Sequence, residues 1–125
     1  MHSTFYYAHR LASPLLSLVV LGMLSGCQAE PRKSDAELGL SPTQAMGRNV
    51  FDAQCARCHE PYSSRGLHGP SLRNLYKRQY LPSGMPANDE RVIEVIIRGR
   101  AKMPAFGNSL SNEQLSSLLA YLKTL

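Results

Sequence analysis

Apolar side chains recur at helical spacing in four stretches of the chain, and the first stretch is the best defined. Gly47, Phe51 and Cys55 are four residues apart, so they share one face of a helix. The sequence before them, Ser-Pro-Thr-Gln at residues 41–44, is typical of a helix start with a serine cap, a first-turn proline and a glutamine three residues on. The pattern predicts a first helix that ends close to Cys55.

The next two stretches are less regular. A short one has Leu72, Leu75 and Tyr76 at helical spacing. The other, at residues 89–98, contains several β-branched residues, which are common in strands. Its apolar residues are also spaced by four, however, and the run Val95-Ile96-Ile97 does not alternate with polar residues. Periodicity therefore favours a helix here as well.

The last stretch repeats the serine-cap pattern at Ser111 and Gln114. It then carries an apolar stripe, with Tyr121 beside it, made of Leu115, Leu118, Leu122 and Leu125. The segments between the stretches are rich in glycine and proline and are predicted to be loops. The chain of 125 residues is long enough for one domain. We expect an all-α fold of about four helices joined by long loops, in residues 41–125.

The N-terminal part has a different composition. After His2, His9 and Arg10, residues 11–24 carry no charge, and small residues precede Cys27. This arrangement is typical of a secretory signal peptide, and the apolar run is shorter than the ~20 residues that a membrane-spanning helix needs. Removal of residues 1–26 would leave 99 residues with a formal charge of +4, because Arg10 is the one charged residue removed from a chain of charge +5.

Leu-Ser-Gly-Cys at residues 24–27 resembles the bacterial lipobox. The resemblance implies a lipoprotein signal peptide in residues 1–26 and lipid on Cys27, which would hold the protein on the periplasmic side of a bacterial membrane, since two or more acyl chains anchor stably. Ordinary signal cleavage nearby and an uncleaved anchor are the alternatives. Residues 28–40 mix charges with Pro31 and Gly39, so residues 27–40 are expected to be a lipidated N-terminus followed by a flexible tether.

The chemistry centres on Cys55-Ala56-Arg57-Cys58-His59, because C-x-x-C-H is the signature of c-type haem attachment. Each thiol can bond to one vinyl group of a haem, and His59 can supply an axial nitrogen. Zinc and a disulfide are the alternatives. A structural zinc site normally has four protein ligands, whereas the sequence after His59 has no cysteine and only His68 as a further histidine. We therefore expect one covalent haem c.

The order of first helix, C-x-x-C-H, loop methionine and terminal helix resembles the class I cytochromes c over residues 41–125. The resemblance implies a small cytochrome c fold, in which helices and long loops wrap around one covalently bound haem. It also implies that Gly47 and Phe51 of the first helix cross Leu118 and Tyr121 of the last.

The same family has Gly-Pro-x-Leu after the haem motif, found here as residues 69–72. The resemblance implies that the carbonyl of Pro70 accepts the N–H of the ligand histidine, His59, a bond that orients a metal-bound imidazole. A plain turn is the alternative for Gly69-Pro70.

A second axial ligand must come from elsewhere in the chain. Methionine sulfur paired with histidine nitrogen is the combination of electron-transfer cytochromes, and Met85 and Met103 both precede proline. The family keeps its methionine just before the terminal helix, which implies Met103. Met85 lies before the third helix, where the family has no ligand. His68 is the bis-histidine alternative, although a surface position suits it better.

These features predict a membrane-tethered periplasmic monohaem cytochrome c that carries single electrons between redox proteins of a respiratory or dehydrogenase chain. Such a carrier is a monomer, not an enzyme, and needs no catalytic acid, base or nucleophile. Its modest positive charge suits an acidic protein face, with Arg57 and Lys102 near the haem edge. No run of Lys or Arg is dense enough to favour nucleic acid. The alternatives are a haem-bearing subunit of a larger dehydrogenase or reductase complex, and a sensor or peroxidase with an open iron position.

Overall fold

The computed structural model describes residues 32–125, and its helices follow the predicted order. They are α1, Pro42–Gln54; α2, Asp89–Arg98; and α3, Asn112–Leu122. Between α1 and α2 the predicted second helix is only a 3₁₀ turn, Leu75–Lys77. Asn74 before this turn has a left-handed backbone with φ of 57°, and Arg78 after it is extended, so neither residue can continue a helix.

The helix starts are those expected from the sequence. Ser41 and Ser111 each accept a bond from the backbone N–H three residues on, and the glutamine at that position bonds back to the serine N–H. Two reciprocal capping boxes thus satisfy N–H groups that a helix start leaves unpaired. Asn88 caps α2 by accepting the Arg91 N–H at 3.0 Å, and Gly99, with φ of 70°, ends α2.

The crossing of α1 with α3 is the centre of the fold. A Cβ added to Gly47 would overlap the carbonyl of Ser117, so the two helix backbones meet directly at this glycine. One turn further along α1, the Phe51 and Tyr121 rings pack with centroids 5.4 Å apart and planes tilted by 56°. Phe51, Tyr121 and Leu118 are almost completely buried. The crossing expected from the family resemblance is confirmed.

Helix α2 and the 3₁₀ turn add their apolar side chains to this crossing. Val92 and Ile96 form the buried face of α2, whereas Ile97 is 39 % exposed, as expected of an amphipathic helix. The buried apolar cluster consists of Phe51, Leu75, Leu81, Val92, Ile96, Leu118, Leu119, Tyr121, Leu122 and Leu125. Long loops connect the helices, and residues 32–125 contain isolated bridges but no named strand.

The start of the described chain differs from the prediction. Residues 33–40 were expected to belong to the flexible tether, but they form a turn that is bonded to Arg48 of α1. The sequence did not reveal this because the partner lies 13 to 15 residues away. The folded part therefore begins near Lys33 instead of Ser41. The predicted signal peptide and Cys27 lie outside the described residues. Within residues 32–125, no helix combines the length and apolar character needed to cross a membrane.

Candidate haem-binding site

The C-x-x-C-H motif continues directly from the end of α1. The N–H of Cys55 donates to the carbonyl of Phe51 at 2.7 Å, and the N–H groups of Cys58 and His59 both donate to the carbonyl of Cys55 at 3.0 Å. One tight turn therefore holds the backbones of Cys55, Cys58 and His59 together. The two cysteines are half-buried and are not joined by a disulfide.

His59 is held by the chain eleven residues later. Its Nδ1 lies 2.8 Å from the carbonyl oxygen of Pro70. A carbonyl can only accept, so Nδ1 carries a proton, and in the neutral imidazole Nε2 then keeps a free lone pair. A hydrogen bond from the ring nitrogen that does not bind the metal fixes the tautomer and the ring orientation of a metal-bound histidine. The bond inferred from the resemblance is present in the structure.

Gly69 explains how Pro70 can come so close to the imidazole. A Cβ added to Gly69 would lie 2.6 Å from Cε1 of His59 and 3.0 Å from its Nδ1, closer than real Cβ contacts allow. Any side chain here would push the ring or the backbone away. The Gly69 N–H also donates to the carbonyl of Cys58 at 2.8 Å. The Gly-Pro pair therefore forms a turn and also fixes the position of the His59 ring.

Further bonds fasten the loop that carries Pro70. The Leu72 N–H donates to the carbonyl of Glu60 at 2.8 Å. The hydroxyl of Ser71, which is buried, donates to the carbonyl of Ser63 at 2.5 Å, and the Arg78 guanidinium donates to the carbonyl of Ser71 at 3.0 Å. Backbone carbonyls are the acceptors in every one of these bonds. These polar contacts fix the shape of the loop, and Leu72 packs it against the apolar cluster.

Met103 lies in a short loop attached to the end of α2. Arg100 and Met103 exchange backbone hydrogen bonds of 2.9 and 3.1 Å, and Phe106 returns to α2 by donating to the carbonyl of Ile96 at 3.0 Å. Gly99 allows the close packing, because a Cβ there would lie 2.6 Å from the Met103 carbonyl oxygen. The Met103 side chain is half-buried and packs against the apolar cluster.

Met85 has a different environment. It lies in a hairpin-like loop, where its carbonyl accepts the Leu81 N–H at 2.8 Å, and its side chain is 39 % exposed. Unlike Met103, it is not among the partly buried residues that pack on the apolar cluster. The structure therefore brings Cys55, Cys58, His59 and Pro70 into one group and gives Met103, not Met85, a position packed on the core.

Zinc finds little support at this site. Among residues 32–125, no three His, Cys, Asp or Glu side chains are grouped to hold a metal ion. Burial, together with the nearby charges of Asp52 and Cys58, raises the pKa of the Cys55 thiol to about 11. The Cys55 thiol is therefore in its neutral form at neutral pH in this structure.

A haem c fits the residues present. The motif offers two unpaired thiols and one imidazole whose Nε2 can coordinate iron. The thioether of Met103 lies on a separate loop. Three residues that sequence alone left open, His68, Arg57 and Lys102, all have exposed side chains. For His68 this agrees with the expected surface position.

Two polar contacts had no sequence signal. Arg48 is 4 % exposed on α1 and binds the N-terminal segment, and the hydroxyls of Tyr62 and Tyr121 lie 2.8 Å apart. Burial, followed by the bond to Tyr62, raises the pKa of Tyr121 well above its usual range. Tyr121 therefore stays neutral, as packing at the helix crossing requires. Both contacts join residues far apart in the chain, so periodicity could not reveal them.

Known proteins resemble this chain in sequence and in structure. Residues 42–122 match the family model described as "Cytochrome C oxidase, cbb3-type, subunit III". Cytochrome c6 of Rippkaea orientalis is 35 % identical over 83 residues, which are 66 % of this chain and 71 % of that protein. The cytochrome bc1 complex cytochrome c subunit of Corynebacterium diphtheriae is 30 % identical over 88 residues, but these are only 29 % of its length and 69 % of this chain.

The solved structure of cytochrome c6 from the diatom Phaeodactylum tricornutum matches with a TM-score of 0.50 and 31 % identity, covering 63 % of this chain and 88 % of that one. The segment matched by the family model contains α1, α2 and α3 and the C-x-x-C-H motif. The chain therefore belongs to the family described as "Cytochrome C oxidase, cbb3-type, subunit III", and it is a class I cytochrome c, an electron carrier and not an enzyme, with one covalent haem c.

Proposed function

We propose that this cytochrome c is tethered by lipid on Cys27 to the periplasmic side of a bacterial membrane, where it carries single electrons between redox proteins of a respiratory or dehydrogenase chain. In this proposal residues 1–26 are a lipoprotein signal peptide that is removed. The tether then runs from Cys27 to the folded part that begins near Lys33. The sequence pattern before Cys27 supports the anchor.

The proposed haem attachment uses Cys55 and Cys58, with His59 and Met103 as the axial ligands of the iron. The observation that carries this assignment is the 2.8 Å bond from His59 Nδ1 to the Pro70 carbonyl. That bond leaves Nε2 as the coordinating atom and holds the ring in one orientation. For Met103, support comes from its half-buried side chain and from the loop bonds that tie it to α2.

When bound, the haem supplies a one-electron couple. The chain's own residues hold the two side chains proposed as iron ligands in fixed positions. Pro70 holds the imidazole of His59, and the exchange of bonds between Arg100 and Met103 holds the thioether loop. A site whose two axial positions are filled by side chains has no open position for a substrate, which suits a carrier.

A second candidate function is the haem-bearing electron-transfer subunit of a larger dehydrogenase or reductase complex. The similarity to the bc1 complex subunit of Corynebacterium diphtheriae favours it, because that protein's name places a related domain in a complex. Purification from native membranes in mild detergent separates the two. A free carrier elutes alone as a monomer, whereas a subunit elutes with partner chains at a fixed ratio.

Haem attachment and lipid anchoring depend on different cysteines, so each can be tested by its own substitution. The variants are expressed in a bacterium that has haem-attachment machinery. Cys58→Ser should leave the haem with a single thioether, and Cys55→Ser with Cys58→Ser should abolish covalent haem, measured by haem staining of denatured protein. Cys27→Ser should keep covalent haem but move the protein from the membrane fraction to the soluble fraction. Covalent haem in the double variant would overturn the attachment site. A Cys27→Ser protein that stays in the membrane fraction would overturn the lipid anchor.

The sensor or peroxidase alternative differs in its iron coordination. Carbon monoxide binds rapidly to a ferrous haem that has an open position. The proposed His59 and Met103 ligation predicts that the reduced wild-type protein shows no rapid carbon monoxide spectrum. A rapid change would contradict ligation by Met103.

A further inference from the structure

The loop directly after the haem motif is joined to helix α3 by one pair of tyrosines. The hydroxyls of Tyr62 and Tyr121 lie 2.8 Å apart, although the two residues are 59 positions apart in the chain. Tyr121 is 1 % exposed, and its ring packs on Phe51 at the helix crossing. Tyr62 is 45 % exposed. The crossing therefore fixes Tyr121, and the Tyr121 hydroxyl gives Tyr62 a partner with a fixed position.

The segment that contains Tyr62 also supports the residues that follow Pro70. The Ser71 hydroxyl donates to the last carbonyl of residues 60–63 at 2.5 Å, and the Leu72 N–H donates to the first at 2.8 Å. Tyr62 lies between these two acceptors in the sequence. Residues 60–63 lie outside the helices and the 3₁₀ turn, so no helical hydrogen bonds fix their backbone. A displacement of this segment would therefore displace Pro70 as well.

We propose that Tyr62 and Tyr121 are positioning residues for the haem ligand His59. Their hydrogen bond ties residues 60–63 to α3, and this support keeps the Pro70 carbonyl at 2.8 Å from Nδ1 of His59. The inference rests on ligation by His59 in the proposed function. A pair of hydroxyls suits such a role, because a hydrogen bond fixes direction while it contributes little net stability.

The effect at the iron follows from the bond between His59 and Pro70. An imidazole that donates a hydrogen bond from its other nitrogen is a more basic ligand, and a more basic ligand stabilises the ferric state. If Pro70 is less firmly held, this bond becomes longer. The reduction potential should then rise, and the NMR signal of the Nδ1 proton should move upfield, since a longer hydrogen bond deshields its proton less.

The test uses holoproteins that carry Tyr62→Phe, Tyr121→Phe or both, because each change removes a hydroxyl and keeps the ring. Each single variant should show the higher potential and the upfield Nδ1 proton. At the wild-type midpoint potential its ferrous-to-ferric ratio should rise by up to about fivefold, the factor of one neutral hydrogen bond. The double variant should match the single variants, because all three lack the same bond.

Tyr80→Phe is the matched control. Tyr80 is 55 % exposed, and its hydroxyl has no hydrogen bond within residues 32–125, so this change should leave the potential and the Nδ1 proton as in wild type. Denaturant unfolding of the same proteins identifies a merely structural role. A lower free energy of unfolding in Tyr62→Phe and Tyr121→Phe, with the potential and the Nδ1 proton unchanged, would overturn the positioning role.

Ligation itself is checked in the same NMR spectra. The carbon-bound protons of an axial imidazole lie over the haem plane, so the haem ring current moves their signals far upfield in the ferrous protein. Absence of such signals from His59 in wild type would overturn the proposed ligation, and this inference with it. Their presence, together with an unchanged potential in both single variants, would overturn the positioning role alone.

Discussion

The α1–α3 crossing and the loops between α1 and α3 are held together in different ways. At the crossing, Gly47 meets the backbone of Ser117, and the Phe51 and Tyr121 rings pack in the most buried part of the domain. In the loops, hydrogen bonds to backbone carbonyls, such as the bond from His59 to Pro70, add to the packing of Leu75 and Leu81 in the apolar cluster.

The crossing therefore determines the stability of the domain, whereas the loops determine the positions of the ligand side chains. Burial of apolar surface stabilises without depending on exact geometry, but it fails when backbones that touch are forced apart. Hydrogen bonds contribute little net stability, since water competes for the same groups, yet they fix direction. Changes at the crossing should therefore destabilise the whole domain, whereas changes in the loops should alter the ligands and leave the domain folded.

Gly47→Val should have the largest effect. The new side chain would overlap the Ser117 carbonyl, and only separation of α1 from α3 could relieve the overlap, so the free energy of unfolding should fall by about 3 kcal/mol or more. Denaturant unfolding of the holoprotein measures it. Ala53→Val is the matched control, because Ala53 is exposed on the same helix, and it should cost only about 0.5 kcal/mol. Equal losses in the two variants would show that helix propensity, and not the crossing, causes the effect.

Met103→Ala should change the haem iron without unfolding the domain. Loss of the thioether should remove the weak long-wavelength absorption band of a ferric methionine ligand, and it should lower the reduction potential because methionine favours the ferrous form. Helical circular dichroism should be retained. Met85→Ala is the matched control and should keep the band, since its side chain does not pack on the core. Loss of the band in Met85→Ala alone would move the ligand to Met85, and its persistence in both variants would exclude both Met103 and Met85 as the ligand.

Gly69→Ala should weaken ligation by His59 and spare both the crossing and the covalent haem. The added Cβ would lie 2.6 Å from the imidazole, so the bond to Pro70 should be lost, and such losses typically weaken metal binding about 10–100-fold. Because protons compete with the iron for His59, a weaker bond should break at higher pH during acid titration of the haem spectrum. Pro70→Ala keeps the accepting carbonyl and should change the acid midpoint much less. The opposite order of the two midpoints would contradict this role of Gly69.

Asp89→Asn should have the smallest effect. Lys123 Nζ lies 2.6 Å from Asp89, and both side chains are about half exposed, so the loss should be at most about 1 kcal/mol. The hydrogen bond from Lys123 lowers the pKa of Asp89. The stabilisation is therefore present above the ordinary carboxylate pKa and disappears as the pH falls through the lowered value. Unfolding measured at neutral and acidic pH should show a difference between wild type and Asp89→Asn at neutral pH only, and a difference that persists in acid would exclude this ion pair as its cause.

Local chemistry explains why so much of this protein could be predicted from its sequence. The C-x-x-C-H motif occupies five consecutive residues, and a helix cap involves residues only three apart, as at Ser41 and Gln44. Such features need no information from the rest of the chain. The all-α fold, the capped helix starts and the cofactor followed from them, and the helix crossing followed from the family resemblance.

The tertiary structure decided what depends on distant partners. Met103 packs on the apolar cluster, whereas Met85 is exposed. The predicted second helix is one 3₁₀ turn, preceded by Asn74 with a left-handed backbone. Arg48 binds Asp35, in a segment whose composition suggested a flexible tether. In each case the outcome depends on a contact or a backbone angle that residue spacing does not encode. Local hydrogen bonds follow from adjacent residues, whereas the burial of an arginine or a methionine exists only after the helices have packed.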